Sequence, residues 1–568
     1  MPFSVYLRLV SLLLILMPVL ASANTLLGNT LDSLREPKTA ALDGVPLLSG
    51  RLLAEFYAQR DNALVWTDPA RIDALLQVVE ASPAEGFVPE DFHVATLRLL
   101  REPRAFDALS ESARIAADIK LSDALLRYVH HTRFGKLDPV AVDRKWNDRA
   151  PVPAERLIAD MRGALEAADL QAFLASRLSY PFWYEHLRQA LNQSAGAARL
   201  AGVPPVPPGP ALVKGNRGPR VALLRERLHR LGDQGAPLSA TPDLFDDALH
   251  AEVVTFQRRF KLSADGVVGP ATIAAINTPF DARKVERMRI NLERMRWLYD
   301  DLSADYVFVD VANYMAHVVR DGDIVWSTRV VVGAEDAQTP MFRDNMDHLV
   351  FNPTWTVPIS IQKKMGKVSA SYTLVDRQTG RKFSGGDASN YKRYRVIQQP
   401  GPRNALGQVK FMFPNRHSVY LHDTPSKALF GRSTRALSHG CVRVQNPTRL
   451  AEMLLNRPDW DQARIATVIQ GERTRYVNLD RPLPVLLYYL TAKADEQGAV
   501  SFRSDVYGRD QRLQELFAEP VLSARIAFEP PVTAPPPDAE PADGEEADRP
   551  LQVNTESQNG VRLTQADD

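Results

Sequence analysis

The sequence predicts a multidomain α+β protein. Its 568 residues exceed what one hydrophobic core usually organises, so several domains are expected. Apolar residues recur at helical spacing in the first third of the chain, and β-branched runs dominate from residue 305 onward. We therefore expect a helical N-terminal scaffold, a small three-helix module, a β-rich sandwich-like or barrel-like domain and a disordered acidic C-terminal tail.

The overall composition is that of an ordinary globular protein. It is 45% hydrophobic and 24% charged, with a formal net charge of +1. A chain so close to electroneutrality offers no electrostatic basis for nucleic-acid binding. We therefore expect no nucleic-acid partner.

The N-terminus has the pattern of a secretory signal peptide at residues 1–23. Arg8 precedes an apolar run at residues 9–20, and Ala21-Ser22-Ala23 follows as an A-x-A cleavage pattern. We expect cleavage after Ala23 and a periplasmic mature chain, the alternative being an uncleaved anchor. No later segment is long and apolar enough to predict a membrane-spanning helix, so the protein should be peripheral to the envelope.

Residues 24–203 are predicted to form the helical scaffold. Residues 114–126 carry apolar side chains at helical spacing, and Gly135 is a helix-stop signal. His130 and His131 are adjacent, which on a helix should point them apart, so we expect surface or capping positions for them and not a metal site. The region contains no other recognisable site.

A proline-rich linker at residues 204–213 leads into a small module at residues 214–279. Two apolar helical stripes are followed by the turn signal Asp265-Gly266. A Phe256-Gln257 helix before an aspartate-glycine-x-x-glycine turn resembles the peptidoglycan-binding-type repeat module. That resemblance leaves glycan binding and a spacer role equally open.

Residues 280–304 are predicted to form a connecting helix, because apolar residues recur three and four positions apart. The pattern then changes to that of strands, and Asp321-Gly322 between two β-branched runs predicts a hairpin. The β-rich domain is expected over residues 305–470. Within it, residues 359–394 are polar and poorly periodic, which predicts a flexible insertion or lid.

Two further segments complete the expected organisation. Residues 471–527 are assigned to a C-terminal helical segment associated with the scaffold. Residues 528–568 are rich in proline and acidic residues, have little to bury and are expected to be disordered.

The single cysteine, Cys441, follows Ser438-His439-Gly440, and His422 lies upstream. One thiol in an exported chain is buried and inert, paired between chains, or chemically active. The flanking histidines favour the last alternative, because a neighbouring imidazole makes a thiol nucleophilic.

The order of these residues on a β-rich domain resembles the L,D-transpeptidase (YkuD-type) catalytic domain. Gly333 and Thr339-Pro340 also fit that family's early strand and loop, and the resemblance covers about residues 305–469. The family resemblance implies a long periplasmic enzyme whose catalytic domain follows a helical scaffold and a peptidoglycan-binding-type module.

The resemblance also implies roles for individual residues. Cys441 would be the nucleophile and His422 the base. The backbone carbonyl of Asp423 is the candidate that orients the imidazole, its carboxylate being the alternative. The loop and its oxyanion hole would be supported by Ser438, His439 and Gly440, including the backbone N–H groups of Gly440 and Cys441.

Three more residues are candidates for substrate binding. Arg443 could meet a substrate carboxylate or form a structural ion pair, while Tyr420 and Trp355 could line the groove or pack in the core. The implied partners are peptidoglycan stem peptides, and other cell-wall synthesis proteins are candidates too. No cofactor and no metal are implied.

The implied reaction is cysteine acyl transfer that releases a terminal D-alanine from a tetrapeptide stem and links two diaminopimelate residues. Water or a lipoprotein lysine as acceptor would instead give an L,D-carboxypeptidase or an anchoring enzyme. Two other hypotheses are a non-catalytic wall-binding protein and a zinc site built from His417, His422, His439 and Cys441.

Overall fold

The computed structural model describes residues 25–35, 41–102, 104–144, 146–147, 149–178, 180, 182–200, 202–231, 240–260, 262–277, 282–298, 302–519 and 524–529. The predicted signal peptide lies outside the described residues, as does all of the predicted acidic tail except residues 528–529. Among the described helices, none combines the length and apolar character needed to span a bilayer.

The N-terminal region is helical, as predicted. Its helices are α1 (25–33), α2 (Gly50–Ala58), α3 (Pro69–Glu80), α4 (Val94–Leu100), α5 (Glu111–Phe134), α6 (Pro139–Val142), α7 (Ala154–Glu166), α8 (Leu170–Ser176) and α9 (Phe182–Arg199). Three two-residue strands accompany them: β1 (Ala41–Leu42), β2 (Val45–Pro46) and β3 (Val152–Pro153). Helix α5 is buried along most of its length and organises the core of this region.

The expectation for the histidine pair on α5 was wrong. His130 and His131 are both fully buried, and their Nδ1 atoms lie 3.2 Å apart. Burial lowers the pKa of His130 to about 3 and moves that of His131 in the same direction, so both rings are neutral. The sequence did not reveal this burial, because it depends on the other elements that pack around α5.

The small module consists of α10 (Pro219–Leu231), α11 (Asp247–Arg259) and α12 (Pro270–Asn277), which share one apolar core. Buried Gln257 explains the motif. Its amide nitrogen donates to Asp265 Oδ1 at 3.0 Å and to the Val267 carbonyl at 2.9 Å, and its amide oxygen accepts from the Gly266 N–H at 2.8 Å. The glutamine of one helix thus fixes the turn that begins the next.

The connecting helix α13 (Ala282–Arg296) packs its apolar face into the largest core of the molecule. This core also contains side chains of α9 and of the β-rich domain. Near its end, Glu293 Oε1 accepts from the Leu137 N–H at 2.7 Å and from Trp297 Nε1 at 3.2 Å. Helix α13 therefore joins the scaffold and the β-rich domain through one continuous interior.

The β-rich domain is a closed barrel. Its strands are β4 (Tyr306–Asp310), β5 (Met315–Arg320), β6 (Asp323–Gly333), β7 (Phe342–Phe351), β12 (Val409–Met412), β13 (Leu421–His422), β14 (Ala436–Ser438), β15 (Val442–Val444) and β16 (Arg475–Tyr488). The order is β14-β6-β15-β13-β12-β7-β16-β4-β5, and β5 also pairs with β6, which closes the ring. The predicted hairpin joins β5 to β6, with Asp321 and Gly322 both at positive φ. Helices α15 (Pro447–Leu455) and α16 (Gln462–Gln470) cover the barrel.

The insertion at residues 359–394 is more regular than its sequence suggested. Strands β8 (Trp355–Thr356), β9 (Lys367–Asp376), β10 (Lys382–Asp387) and β11 (Tyr394–Gln398) form a four-stranded sheet in the order β10-β9-β11-β8, beside the short helix α14 (Ile359–Gln362). Four buried apolar residues give it a core of its own: Val357, Leu374, Ala388 and Val396. Because so few positions are buried, the strands carry little hydrophobic periodicity.

The assignment of residues 471–527 to a helical, scaffold-associated segment was wrong in its first part. Strand β16 lies between β7 and β4 in the barrel, so the β-rich domain extends past residue 470. Its pairing register shifts between Asn478 and Leu483, and this polar, proline-containing interruption conceals the strand in the sequence. Strands β17 (Ala492–Ala494) and β18 (Val500–Phe502) and helix α17 (Arg509–Ala518) follow, and β19 (Ile526–Ala527) does pair with β3 of the scaffold.

Candidate active site

The tract around Cys441 is a tight loop between β14 and β15. Ser438 is buried, and its hydroxyl donates to the Cys441 carbonyl at 2.6 Å while accepting from the Gly440 N–H at 3.2 Å. Gly440 has φ +113, which favours glycine. The Ser438 hydroxyl thus bridges two backbone groups of the loop. The Gly440 N–H is already engaged in this conformation, which removes it from the predicted oxyanion hole.

Strand pairing places the upstream histidine beside the strand that follows the cysteine tract. Strands β13 and β15 are parallel, with Leu421 opposite Val442 and His422 opposite Arg443. Leu421 and Val442 are both fully buried in the barrel core. Because side chains alternate along a strand, His422 and Arg443 project to the other face, and Cys441 is the residue just before β15.

His422 is buried, and the backbone holds its ring. Its Nδ1 lies 2.5 Å from the Asp423 carbonyl oxygen, so Nδ1 carries the proton in the neutral ring, and the Leu406 backbone is a second hydrogen-bond partner of the imidazole. Burial, followed by the positive charge of Arg443, lowers the pKa of His422 to about 3. The imidazole is therefore neutral over the physiological range.

The Asp423 carboxylate has other partners. Oδ2 accepts from the Gln408 N–H at 2.9 Å, and Oδ1 accepts from the Thr424 N–H at 2.7 Å and from the Lys427 ammonium group. These bonds hold the turn after β13. Of the two candidate orienting groups, the carbonyl and not the carboxylate contacts the ring.

The thiol of Cys441 is held in its protonated form. Burial raises its pKa above the usual value, and this effect exceeds the opposing contributions of hydrogen bonds from Tyr420 and of the positive charges of Lys410 and Arg443. Sγ lies 3.7 Å from the Ser418 carbonyl oxygen. A base must therefore remove the proton during reaction.

Two cations flank the thiol. Arg443 is half-buried, its Nε has no hydrogen-bond partner among the described residues, and it makes no ion pair with a described carboxylate. Lys410 is the strand partner of His422 on β12, and its ammonium lies 4.1 Å from the centre of the Tyr420 ring. Lys410 carries no sequence signal for this position, because only the pairing of β12 with β13 brings it to the site.

The other predicted residues differ in their placement. Tyr420 is beside His422, with ring centres 5.6 Å apart. His439 is exposed, and its side chain makes no hydrogen bond to a described residue. Trp355 belongs to the small sheet of the insertion, where it packs against that sheet's own core. The contacts of Trp355 therefore support the packing alternative and not a groove role.

The residues proposed for zinc are not clustered. In the part of the chain that the structure describes, no group of three or more His, Cys, Asp or Glu side chains is placed to hold a metal ion. His417 packs its ring on Phe342, with centres 4.9 Å apart. The arrangement instead provides a thiol, a neutral imidazole and two cations, which suits acyl transfer through a covalent intermediate.

Gly333 and Thr339 are connected by hydrogen bonds to the loop that carries Cys441. Thr339 is fully buried; its hydroxyl donates to the Gly440 carbonyl at 2.7 Å and accepts from the Gly333 N–H at 2.9 Å. A Cβ on Gly333 would lie only 2.1 Å from the Ala337 carbonyl oxygen. These contacts give a physical reason for both residues in the tract that suggested the family.

Comparison with known proteins assigns three segments. Residues 304–474 match the family model described as "L,D-transpeptidase catalytic domain", residues 217–276 match "Putative peptidoglycan binding domain", and residues 51–191 match "Scaffold domain". A curated protein of Haemophilus influenzae, named "Putative L,D-transpeptidase", is 32% identical over 252 residues, which are 42% of this chain and 51% of that protein. The chain thus aligns with about half the length of this relative.

Solved structures show weaker similarity. The L,D-transpeptidase of Xylanimonas cellulosilytica is 22% identical, with coverage of 50% of this chain and 100% of that one and a TM-score of 0.16. The L,D-transpeptidase of Mycobacterium smegmatis is 15% identical, with coverage of 33% and 58% and a TM-score of 0.15. Scores this low add nothing on the activity of this chain. By the family models, residues 304–474 are similar to L,D-transpeptidase catalytic domains, residues 217–276 to the "Putative peptidoglycan binding domain" and residues 51–191 to scaffold domains.

Proposed function

We propose that the protein is a peptidoglycan L,D-transpeptidase that uses Cys441 as its nucleophile and His422 as its general base. The observation that supports the proposal is the parallel pairing of β13 with β15, in which His422 lies opposite Arg443, two residues after Cys441. The Asp423 carbonyl keeps His422 Nε2 unprotonated and ready to accept a proton.

The first half-reaction forms a thioester. Cys441 Sγ attacks the carbonyl of the third, diaminopimelate-type residue of a tetrapeptide stem while His422 Nε2 takes the thiol proton. The tetrahedral intermediate then collapses, the bond to the terminal D-alanine breaks, and the imidazolium returns that proton to the leaving amine. The products are free D-alanine and an acyl-cysteine.

The second half-reaction transfers the acyl group. The side-chain amine of a diaminopimelate residue on another stem attacks the thioester, and His422 removes a proton from the attacking nitrogen. The C–S bond breaks, the thiolate regains the proton, and an amide links the two third-position residues. No step needs a cofactor.

The cationic side chains fit an anionic substrate. Stem peptides end in a carboxylate, and diaminopimelate carries another. The Arg443 guanidinium has an unpartnered Nε and lies beside the thiol, so it is placed to accept a carboxylate and to stabilise the thiolate that develops during attack. Lys410 adds positive charge from the neighbouring strand.

Intact-mass analysis tests the nucleophile and the base. Wild-type protein incubated with a carbapenem should gain the mass of one drug molecule, and Cys441→Ala should gain none. His422→Gln should acylate about a hundredfold or more slowly than wild type, in line with the loss of general-base catalysis. An unmodified wild-type mass, or acylation that persists in Cys441→Ala, would refute the assignment.

Product analysis identifies the acceptor. With purified disaccharide-tetrapeptides, transpeptidation yields a cross-linked dimer together with D-alanine, whereas transfer to water yields a tripeptide. We expect the dimer, and tripeptide alone would make the protein an L,D-carboxypeptidase. Transfer to a lipoprotein lysine is checked by adding a lysine-terminated peptide as a competing acceptor.

The location follows from the substrate. Peptidoglycan cross-linking takes place outside the cytoplasm, and the expected signal peptide at residues 1–23 would direct the chain to the periplasm. Fractionation, together with N-terminal sequencing of the mature protein, should find it in the periplasm with residue 24 first. An N-terminus at residue 1 in the cytoplasmic fraction would contradict this.

A further inference from the structure

The loop that carries Cys441 is connected by hydrogen bonds to a tyrosine in the C-terminal segment. Tyr507, which lies between β18 and α17, is buried, and its hydroxyl donates to the Gly333 carbonyl at 2.7 Å. The same oxygen accepts from the Thr339 N–H at 3.3 Å. One hydroxyl therefore joins the end of β6 to Thr339, three residues before β7 begins.

Thr339 continues this connection to the nucleophile loop. Its hydroxyl bridges the Gly333 N–H and the Gly440 carbonyl, and Gly440 immediately precedes Cys441. Two residues, Gly333 and Thr339, thus connect Tyr507 to the loop. Both of them, like Tyr507, are buried or tightly enclosed. In a buried setting each of these hydrogen bonds is costly to lose.

Tyr507 is itself fixed in position. Its ring stacks on Tyr489 with centres 5.1 Å apart and an interplanar angle of 10°. The Tyr489 hydroxyl accepts from the Tyr507 N–H at 2.9 Å and donates to Asp505 Oδ1 at 2.5 Å. Arg509 reinforces the arrangement by donating to Gln338 Oε1, next to Thr339, at 2.6 and 3.0 Å.

Packing is looser on one side of this network. A cavity of about 300 Å³ lies between the scaffold and the catalytic domain, and its lining includes Trp146, Gln338, Tyr507 and Arg509. On that side, residues 333–339 are held by the hydrogen bonds of Tyr507 to Gly333 and Thr339 and by those of Arg509 to Gln338.

We propose that Tyr507 is a positioning residue for acyl transfer, acting through Gly333 and Thr339 to hold the backbone at Gly440 and Cys441 in its reactive geometry. This inference rests on the proposed function. Tyr507 does not touch the thiol, so its contribution should appear in the rate of the chemical step and not in substrate binding. A displacement of about 1 Å at a reacting group costs about a hundredfold in rate.

The test compares full-length Tyr507→Phe with Tyr488→Phe. The first substitution removes the hydroxyl and keeps the stacked ring. The second removes a buried hydroxyl of the same core, one that contacts the Met295 carbonyl at 3.4 Å and not the loop. For Tyr507→Phe we expect kcat for tetrapeptide cross-linking to fall by about tenfold to a hundredfold with KM changed less than about twofold, whereas Tyr488→Phe should keep both values near wild type.

Substitutions of Thr339 provide a second, independent test of the proposal. Thr339→Val removes the bridging hydroxyl and should lower kcat as Tyr507→Phe does, while Thr339→Ser keeps the hydroxyl and should retain activity. The double variant Tyr507→Phe/Thr339→Val should be little worse than either single variant, because both break the same connection. Fully additive losses, a rise in KM without a fall in kcat, or wild-type turnover by Tyr507→Phe would overturn the proposal.

Hydrogen exchange separates this proposal from the proposed function. The segment 436–444 should exchange faster in Tyr507→Phe than in wild type or Tyr488→Phe, whatever reaction the protein catalyses. Wild-type protein without cross-linking activity but with this exchange difference would defeat the proposed function alone. If Tyr507→Phe does not fold, the Thr339→Val and Thr339→Ser pair gives the same readouts, and equal exchange in those two variants would refute the positioning role.

Discussion

At the residue scale, the resting site holds a protonated thiol beside a neutral imidazole. Burial raises the pKa of Cys441 and lowers that of His422 to about 3. Both shifts favour the neutral thiol and imidazole over a thiolate–imidazolium ion pair. The thiolate therefore forms during attack and not before it.

This protonation state predicts two pH dependences. The rate of Cys441 alkylation by iodoacetamide should keep rising with pH through 9, because burial raises the pKa of the thiol above its usual value of 9.0. By contrast, kcat/KM for acyl transfer should show no acidic inflection near 6.5, since His422 becomes protonated only near pH 3. A wild-type inflection near 6.5 that disappears in His422→Gln would show that the imidazole titrates normally.

The positive charge of Arg443 should contribute to kcat/KM for the tetrapeptide substrate. Arg443→Gln removes an unpartnered guanidinium beside the thiol, and we expect kcat/KM for tetrapeptide to fall by about tenfold, consistent with one charge-assisted contact. Steady-state kinetics with Arg464→Gln, an exposed position on α16, provides the control. A tetrapeptide whose terminal carboxylate is amidated should lose this sensitivity; equal losses with both peptides would exclude a contact to that carboxylate.

At the element scale, the turn after β6 depends on glycine. The 2.1 Å separation between a Cβ on Gly333 and the Ala337 carbonyl requires the backbone to shift, and that shift would reach Thr339. Gly333→Ala should therefore lower stability by about 1–3 kcal/mol, the usual cost of overpacking, and slow acylation of Cys441. Gly322→Ala is the comparison, because the Cβ there meets no atom within 4 Å, although its positive φ carries some strain.

Strand β16 leads to a prediction about domain limits. A chain ending at residue 470 lacks the strand between β7 and β4, which exposes the barrel core, so we expect it to be insoluble. A chain ending at residue 529 keeps every described element and should retain its thermal transitions and its acylation by a carbapenem. A soluble, active product of the shorter chain would show that β16 is dispensable.

At the scale of the whole molecule, the scaffold and the catalytic domain share interior contacts. Arg509 of α17 pairs with Asp143 of the scaffold and bonds Gln338 of the catalytic domain, and the Met341 N–H donates to the Trp146 carbonyl at 2.9 Å. Lys136 donates to the Phe517 carbonyl at 2.7 Å. The C-terminal segment thus links the two domains beside the loop that supports Cys441.

Buried neutral histidines predict how stability depends on pH. The pKa values of His130, His317 and His422 fall from 6.5 to about 3 on folding, so the unfolded chain binds more protons below pH 6.5. Their contribution to the free energy of unfolding is therefore highest above pH 6.5 and falls as the pH drops toward 3. By pH 5.5, each of these histidines should have lowered that free energy by about 1.4 kcal/mol relative to its value well above pH 6.5.

Calorimetry checks this sign. Thermal transitions should move down between pH 7.5 and 5.5, and His317→Gln should reduce the shift of the catalytic-domain transition. His439→Gln, at an exposed position, should leave that shift unchanged. A catalytic-domain transition that rises on acidification would mean that the buried rings gain protons on folding.

The helical scaffold, the three-helix module, the β5–β6 hairpin and the tract from His422 to Cys441 could be predicted from the amino-acid sequence, because each depends on local periodicity, turn chemistry or a short motif. Three-dimensional packing was needed to establish the burial of His130 and His131, the barrel position of β16, the ordered sheet at residues 359–394 and the presence of Lys410 and Tyr507 around the site. These features arise from pairing and packing between segments that are distant along the chain, and a side chain's neighbours across such contacts leave no periodic trace in the sequence.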